Sequence, residues 1–193
     1  QKFEEASAEQ LQGLSLNQGV IPGSNALFIS VTRLLVLSAV TSGLYFFYWT
    51  YLTWRQLHSE TKSIHYPVWH ALTLLVPVYG LFRFYEHVRV ILGLARKDEV
   101  ETSLTPGLAV ALITLNWVLA LRSAGAGGVE LLVLNLIRFA LTTTAIVWAQ
   151  STLNDYWHKA RGTYLQDAPI ELCEKVLIVL GILIWLNVLL SIL

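Results

Sequence analysis

Charge is what this sequence has least of. Only 13% of its 193 residues are Asp, Glu, Lys or Arg, where a soluble domain carries about 25%. The shortage falls in long blocks, which excludes a single anchor on a soluble body and points to several membrane spans. Net charge is zero and no basic run exceeds Arg96-Lys97, so nucleic acid is excluded as a partner. One cysteine, Cys173, leaves no internal disulfide framework. It heads an apolar stretch and reads as a buried small hydrophobe rather than a reactive thiol. Methionine is absent, so Gln1 is a processed or a trimmed start. Lys2 is followed by Glu4, Glu5 and Glu9 without an apolar core, unlike a signal peptide.

The signatures of chemistry are missing too. There is no H-E-x-x-H and no C-x-x-C, and the five histidines share no ligand spacing, so no metal site is expected. No glycine-rich phosphate loop or G-x-S-x-G elbow is present. Glu171 and Glu174 lie at the mouth of the last apolar stretch, where a helix N-terminus favours negative charge, and no carboxylate pair falls at membrane depth. An enzyme is not expected.

What the chain has in plenty is apolar length: 55% of its residues are hydrophobic. Leu34 to Trp54 runs twenty-one residues without a formal charge, between Arg33 and Arg55. As one helix it would cover roughly 30 Å, the thickness of a bilayer's hydrocarbon core. Its second half carries Tyr45, Tyr48, Trp49 and Trp54, rings suited to headgroup depth or to packing against a partner. Ala39 and Gly43 form a small-xxx-small pair that admits a second helix.

The fold class expected is therefore all-α, a polytopic transmembrane helical bundle with four or five spans. Residues 1–25 form a polar N-terminal tail or surface helix, ending in the turn cluster Pro22-Gly23-Ser24-Asn25. Residues 26–193 form the transmembrane domain, with spans at about 34–54, 68–94, 106–121, 129–151 and 176–193. The second span is expected to kink at Pro77 and emerge as an amphipathic, interfacial segment. Gly43-Leu-Tyr-Phe-Phe-Tyr is echoed by Gly80-Leu-Phe-Arg-Phe-Tyr, which suggests a duplicated helix. Spans three and four, joined by Ser123-Ala-Gly-Ala-Gly-Gly128, should form an antiparallel hairpin. With five spans, Lys2, Arg96, Lys97, Lys159 and Arg161 share the N-terminal side against Arg55, Lys62 and Arg122. That bias places the N-terminus in the cytoplasm, in a bacterial inner membrane.

Among polar residues Arg138 stands out, nine residues into the fourth span and too deep to snorkel easily. Asn135, Asn116 and Thr142 would complete a polar seam: an internal structural network or protein–protein contact, a path for a solute or proton, or a seat for an anionic lipid or a partner's carboxylate. His70 and His87 could ligate a haem or chlorophyll-type pigment, although a lone histidine without a partner motif is more often a hydrogen-bonded interfacial residue. Gln150 and Asn154 lie one turn apart on one face, followed by Tyr156 and Trp157. This helix-end box can cap released carbonyls or bridge to a neighbouring helix.

Two motifs also carry a family likeness. Leu37 to Trp49 follows L-x-x-x-T-x-G-L-Y-x-x-Y-W, and Gln150 to Trp157 follows Q-x-x-x-N-x-Y-W. With these, the chain from Arg33 to Arg161 resembles a bacterial integral membrane family of unknown function built around a G-[IL]-Y-x-x-Y-W helix. The resemblance implies an integral helical protein with no agreed activity. Three functions stay open: a non-catalytic accessory subunit packed against other integral membrane proteins in a larger complex, a small channel or transporter, and a cofactor-carrying subunit. Bound membrane lipid is expected under each.

Overall fold

Arg33 and Arg55 bracket the stretch expected to be the first span, and one straight helix would hold them about 33 Å apart. In the computed structural model both reach the same turn of the chain. Arg33 pairs with Glu174 at 2.6 Å and Arg55 with Glu171 at 3.0 Å. Leu34–Trp54 is not one helix; it folds back.

The structure describes residues 28–61, 67–76, 78–162, 167 and 169–192, with side chains as far as Leu186. The 1–25 segment, Lys62 and the expected kink residue Pro77 lie outside these. Among the described residues the chain is all helical, without a strand; one isolated bridge joins Phe28 to Asp167. The helices are α1 (Val31–Val40), α2 (Tyr45–Thr61), α3 (Pro67–Leu72), α4 (Tyr79–Lys97), α5 (Pro106–Ser123), α6 (Gly128–Arg161) and α7 (Leu172–Ile192). A 3-10 turn, Thr73–Leu75, extends α3.

The break between α1 and α2 has a local cause. Ser42 and Gly43 take φ of 52° and 88°, a left-handed reversal that glycine makes at little cost. Gly43 N–H bonds the Ser38 carbonyl at 2.9 Å, and Leu44 N–H the Thr41 carbonyl at 3.1 Å. The Thr41 hydroxyl donates to Leu37 O at 2.7 Å and accepts from Tyr45 N–H at 3.0 Å. Hydroxyls that bond the backbone offer it an alternative to the helix, so a run continuous in hydropathy is discontinuous in structure.

The second block, 68–94, is likewise divided. Val78 has φ 65°, and Gly80 N–H bonds the Val76 carbonyl at 2.8 Å. A Cβ on Gly80 would stand 3.0 Å from the Leu74 backbone, so glycine lets the short arm lie against the start of α4. Each G-L-aromatic echo thus opens the long arm of a hairpin with a short first arm. The long arms run side by side, with Phe84 against Phe46 at 5.6 Å and His87 against Trp49 at 5.4 Å. Both pairs are thirty-eight residues apart, so the arms are parallel and in register. What repeats is a hairpin rather than a single helix.

Between the hairpins and the second half of α6 lies the core. Trp49, Trp54, Trp157, Tyr45, Phe84 and Leu34 are fully buried in it. Tyr48 is buried as well, so of the two roles expected for these rings, packing or interface, the structure shows packing inside the chain. The rings gain more from mutual burial than from an interface.

Pro106 opens α5 at the position where its missing N–H is harmless. After the tight connection at 124–127, α6 returns alongside α5 and continues to Arg161, well past the expected end at 151. α5 and α6 are, among the described residues, long and apolar enough to cross a membrane. Only 17% of each apolar window is buried within the chain. Two such helices stand where four or five spans were expected: the 34–54 and 68–94 blocks are split, and the 176–193 block lies partly outside the described residues.

Helix α7 crosses the tip of the first hairpin. A Cβ on Gly181 would sit 2.2 Å from the Val40 carbonyl, and the Trp185 indole donates to Ala39 O at 3.1 Å. The close approach expected at the Ala39–Gly43 pair is made instead by Gly181 of α7, while a Cβ on Gly43 would meet open space. Cys173, expected to be buried, is exposed on the first turn of α7, because that turn directs Glu174 inward instead.

Candidate functional site

The two motif boxes meet. The Trp49 indole donates to Gln150 Oε1 at 2.7 Å, and Gln150 Nε2 donates to Asn154 Oδ1 at 2.7 Å. Asn154 Nδ2 completes the chain to the Ile29 carbonyl at 2.9 Å. The line ties α2, α6 and the entry to α1, all through buried groups. Beyond it, the Tyr156 hydroxyl donates to Glu60 Oε1 at 2.8 Å and Arg161 to Glu60 Oε2 at 2.6 Å. The Arg161 guanidinium also lies 4.5 Å over the Trp157 ring. The box thus bridges helices along one side of α2.

On the other side of α2 stands a cluster of two acids, two arginines and two tyrosines. Glu174, 1% exposed, receives Arg33, the Tyr45 hydroxyl at 3.0 Å and the Glu171 N–H at 2.9 Å. The last of these is half of a capping box, closing the first turn of α7. Glu171 receives Arg55 at 3.0 Å and the Tyr48 hydroxyl at 2.8 Å. Those bonds, Arg55's first, hold the Glu171 carboxyl below the usual glutamate range. A buried carboxylate with three donors is fully compensated, which makes this cluster a clamp. Sequence reading placed the two acids at a helix mouth without finding their partners. The signal was the equal number of arginines bracketing the apolar run.

Histidines 70 and 87 both lie on Trp54. His70 stacks on it at 4.3 Å between centroids, and His87 meets it edge-on at 4.7 Å. His87 Nε2 also bonds the Thr53 hydroxyl at 2.9 Å, and Phe84 lies parallel to its ring. No group of three or more His, Cys, Asp or Glu able to hold a metal occurs among the described residues.

Arg138 turns toward the α5–α6 connection. Its guanidinium donates to Asn135 Oδ1 at 3.0 Å and to Ser123 Oγ, at the end of α5, at 3.4 Å. Asn116 and Thr142, both half-buried, are not among those partners. Geometry therefore keeps Arg138 and Asn135 of the expected seam and adds Ser123.

No known protein family, curated protein or solved structure matches the chain.

Proposed function

We propose that this is a non-catalytic integral membrane subunit, one that packs against other membrane proteins and contributes a rigid, two-hairpin platform at one membrane face. The observation carrying it is the poor burial of the helices apolar enough to cross: 17% of each window is covered by the chain itself. Leu121 and Val129 are 80% and 77% exposed, and α7 presents Val179, Ile182, Leu183 and Leu186 outward. Water does not tolerate so large an apolar surface on a monomer. Lipid and neighbouring membrane helices do.

In this reading α5, the first half of α6 and α7 cross, while both hairpins enter from one side and turn back. Irregular backbone at that depth requires its polar groups to be satisfied, as the Thr41 hydroxyl and the 41–44 turn bonds achieve. Arg55, Arg96, Lys97, Lys159 and Arg161 then share one face and Arg122 lies on the other, which makes the hairpin face cytoplasmic.

The test is the composition of the particle extracted in mild detergent, by native gel and mass spectrometry. The chain should migrate with larger proteins in fixed stoichiometry. Migration alone or as a homo-oligomer would end the accessory-subunit reading.

A further inference from the structure

The turn from α3 into α4 carries a feature that neither the core nor the clamp uses. Arg83 projects from the second turn of α4, half-buried, with its guanidinium 5.5 Å from the Tyr79 ring centroid. Its Nε is buried and has no hydrogen-bond partner among the described residues. No described carboxylate pairs with it either: Glu86, its closest acidic neighbour in sequence, is held by Arg89 at 2.9 Å. A desolvated N–H and a cation without an ion pair among the described residues leave a place for an acceptor that those residues do not supply.

The space beside Arg83 indicates what that acceptor belongs to. A hollow of about 420 Å³ is lined by Trp54, His70, Tyr79, Arg83 and Glu86, together with Phe82 and Tyr85. A second hollow of about 370 Å³ shares Phe82 and Tyr85 and is otherwise walled by Val78, Leu81 and Val110. One hollow sets the Arg83 guanidinium and Glu86 among mostly apolar walls, its neighbour is wholly apolar, and Phe82 and Tyr85 line both. Phe82, which lines both, is 68% exposed, an apolar surface that suits a membrane rather than water.

We infer that these adjoining hollows form a binding site for one anionic glycerophospholipid. Arg83 takes the phosphodiester oxygens, and the Val78–Val110 hollow takes the upper part of an acyl chain. The site rests on the membrane placement proposed above, in which the hairpin turns lie within one leaflet. Arginine suits phosphate because its planar fork gives several charge-assisted hydrogen bonds at once.

Native mass spectrometry of the detergent-extracted full chain, titrated with phosphatidylglycerol or with phosphatidylcholine of the same chains, tests it. Wild type should retain one phosphatidylglycerol per chain and retain phosphatidylcholine less. Arg83→Gln should weaken retention about tenfold, the loss of one charge-assisted contact, at an unchanged melting temperature. Val110→Trp, which fills the apolar hollow and leaves the cation alone, should weaken it as well. Equal retention by Arg83→Gln, or equal binding of the two lipids, overturns the site. Displacement of the lipid by millimolar inorganic phosphate overturns it in favour of a free-anion site. A particle that keeps its protein partners yet holds no phosphatidylglycerol sinks the lipid site alone.

Discussion

At the scale of residues, the clamp around Glu171 and Glu174 is the feature most open to titration. Hydrogen bonds from Arg55 and Tyr48 lower the Glu171 pKa in the folded chain. A carboxyl lowered by folding adds stability that is whole above its unfolded value and is lost as pH falls through its folded value. Glu171→Gln should therefore melt below wild type near neutral pH, and the gap should close below about pH 4.3, the ordinary glutamate value. The side chain is 39% exposed, so the gap is small, under about 1 kcal/mol. Melting curves of both proteins in detergent across that range measure it, and a gap that persists in acid assigns the loss to packing. Tyr45, Tyr48, Trp49 and Trp54 were recognisable as important from their clustering. That each would point inward was not, because a helix aromatic on every side has no apolar stripe from which to read its buried face.

The elements turn on two glycines with different duties. At Gly43 a Cβ meets open space, but φ is 88°; at Gly181 a Cβ would meet the Val40 carbonyl at 2.2 Å. Gly43→Ala should cost about 1 kcal/mol through backbone strain, and Gly43→Asn less, since asparagine tolerates left-handed φ. Gly181→Ala should cost about 1–3 kcal/mol through overpacking, with no side chain able to relieve it. Thermal melts of the three variants separate these causes, and a neutral Gly181→Ala would mean that α7 does not ride on the hairpin tip. Gly43 was legible as the start of an echo with Gly80, since the motif is local. Gly181 was not, because its partner lies about 140 residues earlier in the chain.

For the whole molecule, the difference between a straight first span and a folded-back one is a difference in which loops share a side. Glu60 meets Tyr156 and Arg161, which brings the end of α2 to the end of α6. In a Cys173→Ala background, Ser59→Cys and Asp155→Cys should react with an impermeant maleimide from the same side, and Ala124→Cys from the opposite one. Five straight spans would instead put Ser59 with Ala124. All three positions are exposed, so labelling reports sidedness rather than burial.

The sequence by itself determined that the chain is helical, that its apolar blocks are long, and that a tight turn falls at 124–127. Each of these follows from hydropathy and glycine within a few residues. Only the tertiary structure decided that Leu34–Trp54 doubles back, that Arg33 answers Glu174, and that Trp49, Gln150 and Asn154 form one line. A twenty-one-residue apolar run has the same hydropathy straight or folded. Which it adopts depends on partners more than a hundred residues away, and only a packed chain brings those into contact.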